Sequence, residues 1–421
     1  MSAPRESEVD ARFRAECRAF LEKHARRRGG ADDWSRGPRE HTPEAEREHF
    51  ERCRAWQRTL YDGGFAGIAV PRELGGRGGT AAQALIFAEE QEAFDATSGF
   101  LAAAIDLVAP ALLHHGSDAQ RERYLRPLLR GDEAWCQLFS EPEAGSDLAA
   151  LRTRAVRDGD SFVVTGQKLW TSSAQFCDFG ILLARTDPDA PKHRGITFFL
   201  LDMRSPGVSV RPLPTSTGSR HFNEVFLDAV RVPVDAVVGG IDAGWRVARE
   251  TLTHESVSIG SSAHGTGDAQ ALVRLANERG LGGDASVRQA VADVFVRERL
   301  LALMRERLQR AIRAGRAPDL DGSVLKIFWA ESRVRKDEVG LRLLGADGLL
   351  AGADAPEAGR WPEQVLDRYT GTIGGGTLEV HRNGIGERVL GLPREPRTEA
   401  SAEGARSEAK PSEGRKSDPV R

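Results

Sequence analysis

The strongest candidate for chemistry is a carboxylate on an apolar helix stripe. Ala248, Leu252, Glu255 and Ile259 fall at spacings of four, three and four, so they share one helix face. An unpaired carboxylate there is costly, and desolvation raises its proton affinity toward the working pH, which suits a general base. The competing account is a carboxylate rescued by an arginine or a helix-edge position. Gly374-Gly375-Gly376-Thr377 opens a helical stretch, so backbone amides and the helix dipole can meet a polar ligand. No Gly-Lys-Ser/Thr follows, which excludes a Walker loop. In Phe139-Ser140-Glu141-Pro142-Glu143-Ala144-Gly145-Ser146-Asp147, short hydroxyls beside glycine suit close approach to a polar ligand. A plain turn-rich connection accounts for Pro142 and Gly145 but not for the cluster of Ser140, Ser146 and Asp147. Gly166-Gln167-Lys168-Leu169-Trp170-Thr171-Ser172 sets an aromatic ring before two hydroxyls, able to stack on a ring ligand and bond its edge. A core tryptophan is the alternative.

Three other signals carry less. His114-His115 has no Asp, Glu or His at ligand spacing and reads as a helix C-terminal cap. Gly260-Ser261-Ser262-Ala263-His264 lacks the closing glycine of a nucleophile elbow and sits inside a helical pattern. Arg26-Arg27-Arg28 reads as a solvated charge run ending a helix.

The elements that must position these residues change texture twice. Helical periodicity marks Val9 to Leu21 and Phe50 to Tyr61, a third helix after Thr80 as N-cap, a fourth from Leu101 to His114 and a fifth from Gln120 to Leu129. From Ala134 to about Val238, short runs of β-formers alternate with turns such as Asp158-Gly159-Asp160 and Asp187-Pro188-Asp189. Helical periodicity returns over about 243–278, 284–314, 322–345 and 378–390, four helices in succession that suggest a bundle. The expected fold is α+β and multidomain: an all-α domain over 1–133, a β domain over 134–241, a helical bundle over 242–393 and a polar, disordered tail over 394–421.

Composition excludes several classes. With 59 basic and 62 acidic residues, the net charge of −3 gives no basic excess for nucleic acid. Cys17, Cys53, Cys136 and Cys177 are too widely spaced for a zinc site or a disulfide framework, and no metal is expected. The N-terminus lacks an apolar h-region and no stretch is long enough to span a membrane, so a cytoplasmic location is expected.

Taken together, the run from Phe139 to Ala155, Gly166 to Ser172, Phe222-Asn223-Glu224-Val225-Phe226, Val230-Arg231-Val232-Pro233 and Arg382 to Pro393 resembles the acyl-CoA dehydrogenase family. The resemblance spans about 8–393. It implies an N-terminal α-helical domain, a middle β-barrel or sandwich domain and a C-terminal four-helix bundle, with FAD between the last two. By this resemblance Phe139, Ser140, Gly145, Ser146, Trp170, Ser172, Thr377 and Glu379 match cofactor positions, with Arg342 and Arg279 reaching a neighbouring subunit's FAD. Ser146 also lies at the mouth of the acyl site. The family places its base either just before the C-terminal Gly-Thr, where this chain has Gly375, or in the first bundle helix, where it has Glu255. Glu255 is thus the implied base, with Ser256, Gly375 and Gly376 beside the substrate. Ser256 stands where relatives usually carry arginine, and Gly384 and Gly386 where relatives often have larger residues.

The implied reaction is α,β-dehydrogenation of an acyl thioester carried by CoA or a carrier protein. The implied partners are an electron-transfer flavoprotein-like acceptor and other subunits, in a homodimer, a homotetramer or an assembly of unlike chains. An oxidase or flavin monooxygenase on the same fold and a non-catalytic partner subunit are the alternatives.

Overall fold

A computed structural model describes residues 7–28, 33–38, 41–261, 268–314, 321–352 and 355–394, without the side chains of 36, 253–261 and 321. The expected tail beyond 394 lies outside the described residues, as does most of the segment Gly260 to His264.

Five helices come first: α1 (Glu8–His24), α2 (Pro43–Asp62), α3 (Ala81–Gln91), α4 (Phe100–His115) and α5 (Asp118–Arg130). Their starts follow from side-chain capping. Thr80 with Gln83, and Ser117 with Gln120, form reciprocal capping boxes that satisfy amides otherwise left open at α3 and α5.

In the arginine run after α1, Arg26 and Arg27 are exposed, as the sequence suggests, and only Arg28 is drawn in. Arg26 pairs with Asp95 and Arg27 with Glu22, while the half-buried Arg28 bonds Ser35 Oγ at 3.0 Å and the Phe94 carbonyl at 3.1 Å. The run ties the α1 exit to the end of α3.

Eight strands then form one mixed sheet: β1 (Trp135–Leu138), β2 (Arg154–Asp158), β3 (Ser161–Ser172), β4 (Phe179–Arg185), β5 (Ile196–Asp202), β6 (Val208–Leu213), β7 (Phe222–Pro233) and β8 (Val237–Val238). The order is β6-β7-β3-β2-β4-β5-β8, with β1 parallel to β4. The long pair β3–β7 is antiparallel and breaks register between Val164 and Gly166 and between Lys168 and Thr171. Such bulges re-aim side chains.

The last section holds α6 (Gly244–Ser261), α7 (Asp268–Glu278), α8 (Ala285–Arg313), α9 (Asp321–Leu344), α10 (Arg360–Asp367), α11 (Thr370–Ile373) and α12 (Leu378–Arg388). The helix expected over 243–278 is divided between α6 and α7, on either side of residues 262–267, which lie outside the described residues. Helices α10 and α11 were not foreseen. Each is too short to show a period, and Gly359 at φ 75° marks the start of α10.

One core of buried residues runs from α4 and α5 through the sheet to Val247 and Ala248 of α6. The first half of α6 is therefore anchored to the sheet as well as to the bundle. Among the described residues no helix is long and apolar enough to cross a membrane, and no His/Cys/Asp/Glu group could hold a metal ion.

Candidate active site

A cavity of about 130 Å³ lies between α4 and the sheet. Phe100, Ala103, Ala104, Leu107 and Val108 wall one side, the i, i+3, i+4, i+7, i+8 face of α4. Trp135, Cys136 and Gln137 of β1, Ile181 of β4, and Trp170 and Ser172 of β3 wall the other.

Trp170 is not a core residue. It is 58% exposed, its φ is +60°, and its ring meets Phe222 edge-on at 5.6 Å. A positive φ on a bulky residue is strained and persists only where its surroundings over-determine it. Three anchors do so. The Leu169 amide donates to the Ser140 carbonyl at 2.9 Å, Asn223 Nδ2 donates to the Thr171 carbonyl at 3.0 Å, and the Ser173 amide donates to the His221 carbonyl at 2.6 Å.

Behind the tryptophan lies an ion pair that the sequence reading passed over. Lys168 is fully buried; its Nζ donates to Glu141 Oε1 at 2.7 Å and to the Phe139 carbonyl at 3.1 Å. Glu141 also accepts from the amides of Arg152 at 2.6 Å and Thr153 at 3.0 Å. Burial pushes the Lys168 ammonium down to about 8 against the pull of Glu141. Burial alone would raise the Glu141 carboxyl; Lys168 and the amide donors hold it below the ordinary range. A signal was present, since Lys168 shares strand parity with the inward-facing Phe162 and Val164.

Two buried polar atoms have no partner among the described residues: Trp135 Nε1 on the cavity wall, and Thr171 Oγ1, whose residue lies between Trp170 and Ser172 in the chain. Native folds rarely leave such groups unsatisfied. A Cβ on Gly145 would meet nothing within 4 Å. The exposed tryptophan face and the unpartnered Trp135 donor fit a planar ligand with polar edges, as a flavin is.

The structure brings only some of the expected site residues together. Phe139 is buried edge-on against Phe198 at 5.8 Å, and Ser140 joins the Trp170 segment through its carbonyl. Gly145 and Ser146 are exposed on the same connection. Gly375 and Gly376 have φ of +68° and +94°, conformations that favour glycine. Their loop is held from behind: Lys326 Nζ donates to the Gly374 carbonyl at 2.7 Å, and His381 Nε2 bonds the Gly375 carbonyl at 3.0 Å. Thr377 caps α12 through the Val380 amide, while Glu379 is exposed beside Arg382. Arg279 pairs with Asp347 and Arg342 is exposed on α9, so within this chain neither joins the cavity wall. The backbone at Glu255 and Ser256 is helical, and their side chains lie outside the described residues.

A larger hollow of about 430 Å³ lies at the start of α6, lined by His193, Asp242, Ala243, Trp245, Arg246, Arg249 and Glu250. It is polar and open, and it lacks the motifs gathered around Trp170. Glu250 also corrects the reading of the paired histidines. His115 Nε2 lies 2.7 Å and His114 Nδ1 3.1 Å from its carboxylate, so the pair clasps α6 rather than capping α4.

A helical domain, a mixed sheet and a helical bundle follow one another along the chain, with the tryptophan-walled cavity between α4 and the sheet. The chain matches the acyl-CoA dehydrogenase N-terminal domain over residues 7–132, the middle domain over 136–230 and the C-terminal domain over 242–390. It is 36% identical to the acyl-CoA dehydrogenase IpdE1 of Mycobacterium tuberculosis, over 84% of this chain and 91% of that protein. It is 39% identical to the acyl-CoA dehydrogenase FadE34 of the same organism over 76% of this chain, which spans only 44% of that longer protein. Among solved structures, the Tcur3481-Tcur3483 steroid ACAD superimposes with a TM-score of 0.77 at 30% identity, covering 93% of this chain and 99% of that one. The ChsE4-ChsE5 complex from Mycobacterium tuberculosis gives 0.75 at 30%, covering 94% and 100%. The chain belongs to the acyl-CoA dehydrogenase family and is an oxidoreductase of that kind.

Proposed function

We propose that this chain binds FAD against Trp170 and uses Glu255 to dehydrogenate an acyl-CoA between its α and β carbons. The observation that carries the reading is the Trp170 cavity, whose wall combines a strained, exposed indole with Trp135, whose Nε1 has no partner among the described residues. Phe139, Ser140, Gly145, Ser146, Ser172, Thr377 and Glu379 are the further candidates for holding the cofactor, with Arg279 and Arg342 serving a neighbouring subunit. A flavin held there supplies an acceptor for the β-hydride.

The chain's own part is to hold the thioester and take its α-proton. Position 255 follows the buried Thr251 by one turn of α6, and a carboxylate in a dry site has the proton affinity for the task. Negative charge grows on the thioester oxygen as the proton leaves, so it needs donors already in place. The amides of Gly375 and Gly376 suit that role. Their carbonyl side is tied down by Lys326 and His381, and among the described residues neither amide has a backbone acceptor.

Ser256, in place of a bulkier arginine, and the small residues Ala103 and Ala104 of α4 support a wide acyl group. The Tcur3481-Tcur3483 relative is named a steroid ACAD, and a steroid-sized acyl group is the class we propose here. Arg246 and Arg249 in the open hollow supply cations suited to the phosphates of a CoA handle. Exposed Phe295, Val296, Leu300 and Leu303 on α8 support assembly with a like or related chain. An electron-transferring flavoprotein is the proposed acceptor.

The test is Glu255→Gln, measured by anaerobic flavin bleaching with a panel of acyl thioesters. The variant should keep its flavin and lose bleaching by about 10²–10⁴-fold. Bleaching at the native rate would sink the assignment.

A further inference from the structure

The two segments that the proposed cofactor would touch are not neighbours in the chain. One is the connection from Phe139 to Asp147, the other the bulged end of β3. They are joined by one backbone bond, Leu169 to Ser140, and by the side chain of Lys168. Lys168 leaves β3 where the register with β7 breaks, two residues before Trp170, and turns inward. Its Nζ reaches the carbonyl of Phe139 and the carboxylate of Glu141, and that carboxylate in turn gathers the amides of Arg152 and Thr153. The far end of the connection is thus drawn back onto the sheet. Removing the charge on either partner leaves the other buried and uncompensated.

We infer that the Lys168–Glu141 pair is a positioning clamp that holds Trp170 in its left-handed conformation over the cavity and thereby sets the affinity for flavin. Neither side chain lines the cavity, so both act through the backbone that carries Trp170 and Ser140. This rests on the proposed flavin site. The charged group that faces the ammonium is Glu141, from the connection, and the guanidinium of Arg185 on β4 in turn interacts with that carboxylate. Burial lets Lys168 give up its proton at about pH 8, whereas a solvated lysine holds it to 10.5. The clamped lysine is charged below pH 8; because a released, solvated lysine would keep its proton to 10.5, raising the pH through 8 favours the clamped state over the released one.

The experiment titrates the purified full chain from pH 6.5 to 9.5, following Trp170 emission against a Trp170→Phe control, and FAD affinity by flavin fluorescence quenching. In the wild type both signals should step near pH 8, with FAD binding strengthened several-fold above the step. Lys168→Arg keeps its charge throughout and should flatten both steps. Glu141→Gln should retain the step but move it to lower pH, which gives a second readout should the arginine not be accommodated. A wild type with no step, or a step unmoved in Glu141→Gln, overturns the clamp. Failure of the chain to bind FAD at any pH would instead overturn the proposed function, while the emission step would still report on the clamp.

Discussion

Two buried lysines, one in the sheet and one in the bundle, hold the two loops proposed to face the reactants, and they do so in different company. Lys168 and Lys326 are both almost wholly buried, and each donates to a backbone carbonyl, that of Phe139 at 3.1 Å and that of Gly374 at 2.7 Å. Lys168 adds a carboxylate at 2.7 Å. Lys326 lies 5.1 Å from the centre of the Trp329 ring. A carboxylate fixes both distance and charge, so its loss strands a buried partner. A ring face attracts the Lys326 cation more weakly than a carboxylate does, and the Gly374 carbonyl adds a neutral acceptor. The sheet device suits a strained conformation that must not drift. The bundle device suits a glycine loop already at ease in its own conformation.

The largest break should come from Lys168→Met. It leaves Glu141 buried without its cation and should cost about 3–5 kcal/mol, read as a fall in thermal midpoint. The double variant Lys168→Met/Glu141→Gln should recover part of that loss. Lys326→Met removes one donor from the Gly374 carbonyl and should cost about 1–3 kcal/mol by the same measurement. An equal loss for the two lysines would end the distinction drawn between them. The smallest effect is expected from Gly375→Ala. A Cβ at φ +68° should cost about 1 kcal/mol, and an unchanged midpoint would mean that the loop relaxes freely.

The sequence made much of this architecture legible, for identifiable reasons. Helices with long apolar stripes and good caps, such as α2 and α5, announce themselves through period and punctuation. The strands appear as short β-forming runs, yet β3 and β7 extend well past them, through polar residues such as Gln167, Lys168 and Asn223 that carry no β-forming signal. Helices α10 and α11 left no period to read. At the site, Trp170 and Ser172 were legible as chemistry, and the exposed ring now removes the core alternative. The Lys168–Glu141 pair was missed because each residue sits inside a motif valued for its neighbours, and pairing across 27 residues has no local signature. The histidine pair was misread for a similar reason, as its partner Glu250 lies 135 residues away.

That clasp gives α6 a fixed root. Val247 and Ala248 are sunk in the core shared with the sheet, and Glu250 is gripped by His114 and His115 from the end of α4. Position 255 stands five residues further on, about 7.5 Å along the helix axis. The helix works as a cantilever whose support is shared between the amino-terminal helices and the sheet. A small tilt where α4 meets α6 would swing the proposed proton acceptor in proportion to that arm, which gives a remote part of the molecule mechanical leverage over the reaction.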